Sequence, residues 1–365
     1  MLTRASLAIP VLAILGLAAC VFNGGRGQQT AYVVTPFTAS VAAYHVDNNT
    51  GAFSQMLGSP YGVGISPSSI LLHPSGKYAY VANAGENDIS LFKIATSGAL
   101  AEVTPRTPTG MNPASMVMDA AGTFLFVANA NSNTITGYSM SPSTGALTAL
   151  SGAAAQTGFS PVNLAITPSG KFLYVANSNS ASVAGFAVDS SGGLTAIPGL
   201  PPMVGAGPNW ITIDPSGKFL YVASLAGGNF SGFTIDSTSG ALSAMTGSPF
   251  GVTVSTTITP LSSLVVDRSG KYLYVADQSG NNVYAFTIDA TSGVPRVITA
   301  TPVPPYAAGT APAFITTDTT GKLLFVGNQK SSSISVFSIT PSTGALTAVS
   351  TSTTASAPVA MAVVK

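Results

Sequence analysis

The side chains that most often carry chemistry are scarce in this chain. It holds two histidines, His45 and His73, one cysteine, Cys20, and two glutamates, Glu86 and Glu102. Hydrolytic acyl transfer needs a base to activate the nucleophile and a donor or cation to hold the developing oxyanion. A structural zinc site needs clustered Cys, His or carboxylate, which one cysteine and two separated histidines do not supply. The segments ANAGEND from Ala82 and ADQSGNN from Ala276 offer oxygen ligands suited to calcium but lack the dense acidic spacing of a dedicated loop. No metal and no cofactor is therefore expected. What the chain has in abundance is Ser, Thr, Asn and Gly, so the elements that place these groups decide what it can do.

Those elements repeat. GKYAYVAN from Gly76 returns as GTFLFVAN from Gly122, GKFLYVAN from Gly170, GKFLYVAS from Gly217, GKYLYVAD from Gly270 and GKLLFVGN from Gly321. A period of roughly fifty residues marks a repeat architecture. In the copy around Gly170, strands are expected over Pro161 to Ile166, Phe172 to Ala176, Val183 to Val188 and Leu194 to Ile197, with TPSG and SSGG turns and a polar loop between them. The second strand is apolar at nearly every position, so both faces of each four-stranded antiparallel meander must be covered. Stacking the sheets radially does this. Asp119, Asp214, Asp267 and Asp318 at the first turn are read as turn-closing residues, since Asp bonds its own local backbone.

Six full copies leave two incomplete ends that fit each other. Ala31 to Val34, Ser40 to Val46 and the segment from Gly51 supply second, third and fourth strands, and Ala357 to Val364 supplies a first. The expected fold is all-β: a seven-bladed β-propeller of four-stranded antiparallel blades over residues 31–365, its last blade closed by N- and C-terminal strands. Closure removes the free sheet edges.

The Tyr/Phe-Val-Ala-Asn runs, the Pro-Ser-Gly-Lys turns before them, the Thr-Gly-Ala-Leu turns at Thr144 and Thr343 and the Gly-Ser-Pro segments at Gly58 and Gly247 resemble YVTN-type propeller repeats. Over residues 31–365 the pattern resembles the lactonase family of seven-bladed propellers, which includes 6-phosphogluconolactonase-like proteins. The resemblance implies lactone hydrolysis, with His, Arg and acidic residues around the central channel.

This chain departs from that expectation. First strands line the channel of a propeller, and here they are approached by SPSS, NPAS, SPVN, GPNW, TPLSS, APAF and APVA, which carry hydroxyls, amides and two aromatics but no His, Arg or carboxylate. Asn163, Asn209, Trp210 and Phe314 are the ligand-binding candidates, with Arg106 in the loop before Asn112 as the one cation assigned to that face. Trp210 and Phe314 have two open readings, ligand contact or channel core. Ser69 or Ser115 would need a neighbouring base to act as nucleophile, so no catalytic residue is assigned.

Residues 1–19 read as a lipoprotein signal peptide: Arg4, an apolar run, then Leu17-Ala18-Ala19 before Cys20. Cys20 is the expected lipid anchor and residues 20–30 a flexible tether. Val21, where inner-membrane retention would want Asp, points to outer-membrane attachment in the cell envelope. Only 7% of residues are charged and the net charge is +1, which leaves no basic patch for nucleic acid. Two functions compete: a monomeric, non-catalytic module for a glycan, peptide or envelope protein, and a lactone hydrolase acting on a neutral lactone.

Overall fold

The computed structural model describes residues 28–152, 154–199, 204–252 and 260–365. The expected signal peptide, Cys20 and most of the expected tether lie outside them. Seven antiparallel sheets form the blades of a closed ring. Blades 1 to 6 begin with first strands Pro67–Leu72, Pro113–Met118, Pro161–Ile166, Pro208–Ile213, Leu261–Val266 and Pro312–Thr317. In blade 7 the first strand is Ala360–Val364, paired with Gln28–Thr35, which in turn pairs with Ser40–Asp47.

The closing strand thus starts at Gln28 rather than Ala31, and its second residue has a use. Gln29 donates to the Asp318 carboxylate at 3.0 Å and accepts from the Thr319 N–H at 2.8 Å, tying blade 7 to the first turn of blade 6. Burial raises the Asp318 pKa, but hydrogen bonds from the Leu323 N–H, the Thr320 hydroxyl and N–H, and Gln29 outweigh it and hold the carboxyl below its ordinary value. Asp214 and Asp267 close their own turns by accepting several local backbone N–H groups.

The second strands are the core. Leu173, Tyr174, Val175 and Ala176 are wholly buried, as are their counterparts in the other blades. Tyrosine recurs there for two reasons. Its ring fills the space between blades, and its hydroxyl satisfies a buried carbonyl of the next blade. Tyr32 donates to Gly98 O at 2.7 Å, Tyr80 to Gly145 O at 2.7 Å, Tyr174 to Gly240 O at 2.6 Å, Tyr221 to Gly293 O at 2.6 Å and Tyr274 to Gly344 O at 2.9 Å. Phe126 and Phe325 hold the position in blades 2 and 6 and make the apolar contact alone.

The outer strands are less regular than four even strands per blade. Blades 2, 4, 5 and 7 break the fourth strand and add a two-residue strand on the third. In blades 4 and 7 the break falls at Gly-Ser-Pro, where proline offers no N–H to the ladder. The serine hydroxyl substitutes: Ser59 Oγ accepts from Ala43 N–H at 2.8 Å and Ser248 Oγ from Gly232 N–H at 3.0 Å.

Candidate functional site

Each first strand of blades 1 to 6 enters with a β-bulge just after its start. The extra residue turns the strand so that the side chain after the bulge faces the channel in most blades. These are Ser69, Ser115, Asn163, Trp210 and Phe314, with Ala360 in the corresponding place in blade 7; Ser263, at that position in blade 5, is buried and accepts from the Ile315 N–H at 3.1 Å instead. In blades 1 to 5 the residue opposite is alanine, and in blade 6 it is Gly327. A Cβ at Gly327 would lie 1.9 Å from the Phe314 ring, so glycine is what lets that ring fold back against its own sheet.

A cavity of about 200 Å³ occupies the channel, walled by Ser69, Ser115, Met116, Asn163, Trp210, Phe314 and Met361, among others. That is smaller than the roughly 300–1,000 Å³ of pockets for drug-sized ligands and suits one small ring. Asn163 is its best-positioned polar group. Its Oδ1 accepts from the Ile211 N–H at 3.1 Å and its Nδ2 donates to Ser115 Oγ at 3.2 Å. Because a backbone N–H must meet an acceptor, this network fixes which end of the amide is the donor. Among the described residues the second Nδ2 hydrogen meets no acceptor, and Asn163 borders the cavity.

The two aromatics fall into different environments. Phe314 is 2% exposed and packs with Leu323, Phe325 and Met361, so its ring is wall. Trp210 is half-buried and packs against hydrophobic groups of blades 4 and 5 and also of blades 6 and 7, so the indole reaches across the lumen. Asn209, the bulged residue, does not line the cavity; its Nδ2 donates to Ser262 O of blade 5 at 2.6 Å. Sequence spacing placed Asn209 beside Trp210 but could not show that a bulge sends the two side chains apart.

Arg106 is a correction. It lies in the outer strand Leu100–Pro108 rather than in a loop over the channel, and its guanidinium is 2.5 Å from Glu86 and 2.8 Å from Glu102. The hydrogen bond to Glu102, with the surrounding acidic charges, raises its pKa further despite partial burial. An arginine with two carboxylate partners at the rim has no reason to turn inward.

The histidines also sit away from the lumen. His73 bonds Ser75 at 2.8 Å and the Gly122 carbonyl at 3.2 Å, joining blades 1 and 2 at a turn. His45, in the third strand of blade 7, borders a separate outer groove with Gln28, Gln55 and Leu57. Among the described residues no group of three His, Cys, Asp or Glu is placed to hold a metal ion.

The sequence matches the family described as lactonase, 7-bladed beta-propeller, over residues 20–162, 153–259 and 246–363. The chain belongs to this family. Among solved structures it is similar to a putative 6-phosphogluconolactonase from Bacteroides fragilis NCTC 9343, with TM-score 0.78, 21% identity, and coverage of 93% of this chain and 98% of the other. It is similar to the periplasmic gluconolactonase of Pseudomonas aeruginosa, with TM-score 0.78, 17% identity, and coverage of 93% and 99%. A protein from Lactobacillus plantarum superposes with TM-score 0.80 at 17% identity, over 93% of this chain and all of that one. No curated protein matches the sequence. At these identities the structures show that the lactonase propeller is shared, and the site has to speak for the chemistry.

Proposed function

We propose that this lactonase-family propeller binds uncharged, sugar-like lactones at the channel and opens them with water. The family and its gluconolactonase-like neighbours support the reaction class. The observation that carries the substrate class is Asn163, oriented by Ile211 and Ser115 with an amide N–H to spare, beside the indole of Trp210 on the next blade. An amide beside an aromatic face suits a polar ring. Phosphorylated lactones fit poorly, because among the described residues no cationic side chain lines the cavity.

In the reaction, hydroxide from solvent adds to the lactone carbonyl and the tetrahedral oxyanion accepts hydrogen bonds from the Asn163 Nδ2–H and the Ser115 hydroxyl. The ring C–O bond then breaks, and the departing alkoxide takes a proton from solvent to give the hydroxy acid. Among the described residues, none of those lining the cavity ionises. Turnover should therefore rise with hydroxide, about tenfold per pH unit, without the bell shape that a protein acid and base impose. Loss of an oxyanion donor typically costs about 10²–10³ in rate, so Asn163→Ala should fall by that order. A pH-stat assay of the full chain on glucono-δ-lactone and its 6-phosphate tests this; preference for the phosphate, or a rate indifferent to Asn163, refutes it.

The absence of ionising groups from the lining favours a second reading, non-catalytic capture of a glycan, peptide or envelope component. Tight binding of a neutral sugar ring with no turnover above the spontaneous rate would select it. In either case we propose a monomer held at the cell envelope, in the outer membrane, through a lipid on Cys20. Support comes from the position of Cys20 after Leu-Ala-Ala. Cys20→Ser should release the protein or leave its precursor uncleaved, and unchanged membrane partition would refute the anchor.

A further inference from the structure

The loops between second and third strands and the connections into first strands share one face, that of the channel mouth. Backbone hydrogen bonds join them: Gly85 N–H to Ile65 O at 3.0 Å, Asn131 N–H to Met111 O at 3.2 Å and Asn179 N–H to Phe159 O at 3.2 Å. Ile65, Met111 and Phe159 occupy one equivalent position in blades 1, 2 and 3, each four residues before its channel residue, Ser69, Ser115 or Asn163. They are 59%, 57% and 67% exposed, and Phe37 on the same face of blade 7 is 84% exposed. Single exposed apolar residues are ordinary, but four on successive blades around one opening are not.

Their backbones are held. Met111 N–H donates to Ser132 Oγ at 2.8 Å and Phe159 N–H to Ser180 Oγ at 2.6 Å. The following residues, Ser66, Asn112 and Ser160, have φ of 52°, 58° and 56°. The Asn87 and Asn133 side chains accept from the N–H of Asn112 and Ser160 at 2.7 and 2.8 Å, pinning each connection to the blade before it. The apolar side chains therefore project from a fixed frame, arranged before any ligand arrives. Along this arc, in residues 36–39, 63–66, 84–87, 109–112, 130–133, 157–160 and 178–181, Glu86 is the one ionised residue, and it is paired with Arg106.

Each of three adjacent blades thus presents a hydrogen-bonding group inside the channel and an apolar group at its mouth, no more than about 13 Å apart along an extended chain. We infer that the ligand is amphiphilic: an uncharged polar ring in the channel carrying an alkyl or acyl chain that lies across Ile65, Met111 and Phe159. This rests on the channel reading above and names the substituent its ligand carries. The short reach from each apolar residue to the channel residue of its own blade favours this occupant over a protein partner, because one small molecule can contact both at once.

The test uses the full chain and a homologous series of δ-lactones bearing no alkyl substituent, a propyl or a pentyl chain, with binding measured by calorimetry. Full burial of a methylene strengthens binding about fourfold, and a chain lying on a surface covers one side, so about twofold per methylene is expected. Phe159→Ser and Met111→Ser, both exposed, should flatten that dependence while leaving the unsubstituted lactone and the melting temperature unchanged. Asn163→Ala should weaken every member equally. Binding of the unsubstituted lactone with no gain along the series overturns the amphiphile and leaves the channel reading standing. A gain along the series that ignores Asn163, or that is matched by simple alcohols of the same chain length, overturns both. No binding by any member likewise overturns both. Concentration-dependent pairing of two copies that Phe159→Ser abolishes would reassign the arc to self-association.

Discussion

Replacing Gly327 by alanine tests how the channel wall was built. The new Cβ would sit 1.9 Å from Phe314 Cε1 and 2.3 Å from Cζ, where an ordinary contact is at least 3.4 Å, so the ring edge must retreat by about 1.5 Å. It is 2% exposed and enclosed by Leu323, Phe325 and Met361, so it has little room to do so. Overpacking of this kind costs roughly 1–3 kcal/mol, against about 0.5–1 kcal/mol gained when alanine replaces glycine in a strand. The net loss is on the order of 1–2 kcal/mol, or a fall of roughly 1–3 °C in Tm. Phe314→Ser alone should cost more, about 3–5 kcal/mol, because it leaves a void. The double variant restores the serine–alanine pairing found at Ser69 and Ala82, Ser115 and Ala128, and Ser263 and Ala276. It should melt above Phe314→Ser, with a coupling of about 1–3 kcal/mol. Calorimetric melts of the four proteins decide it. Additive effects, or Gly327→Ala melting with the parent, would show that the ring does not depend on the glycine.

Tyr174→Phe should lose about 1–2 kcal/mol by leaving the buried Gly240 carbonyl without a donor, whereas Tyr284→Phe, half-buried in a third strand, should lose less; equal losses would deny the hydroxyl its role between blades. The Asp318 carboxyl, held below its ordinary value, contributes stability that is fully present above the unfolded pKa of about 3.9 and is lost as pH falls through the lower folded value. The difference in unfolding free energy between parent and Asp318→Asn should therefore be constant from about pH 5 upward and shrink below about pH 4, and a difference that instead grows in acid would reverse the assigned sign.

The repeats were legible because they are local. Apolar second strands, Pro-Ser-Gly turns and the matched ends Ala31–Val34 and Ala357–Val364 carry their meaning within a few residues, so blade number and closure follow from pattern. The absence of His, Arg and carboxylate from the channel was legible for the same reason. Side-chain direction was not. Whether Asn209 or Asn163 meets the lumen depends on which residue a bulge leaves unpaired, and the alternation that tells inward from outward fails at a bulge. Arg106 was misplaced because its outer strand runs on to Pro108, a continuation stabilised by pairing with the third strand of its blade rather than by its own sequence. Phe314 and Trp210 stood at the same repeat position and differed only in what lay opposite, Gly327 or Ala223. The sequence determined seven blades and a channel lining free of charge among the described residues; the tertiary structure decided which side chains the channel wall absorbs and which it leaves to a ligand, because that choice is made by partners on the neighbouring strand and the neighbouring blade rather than by adjacent residues.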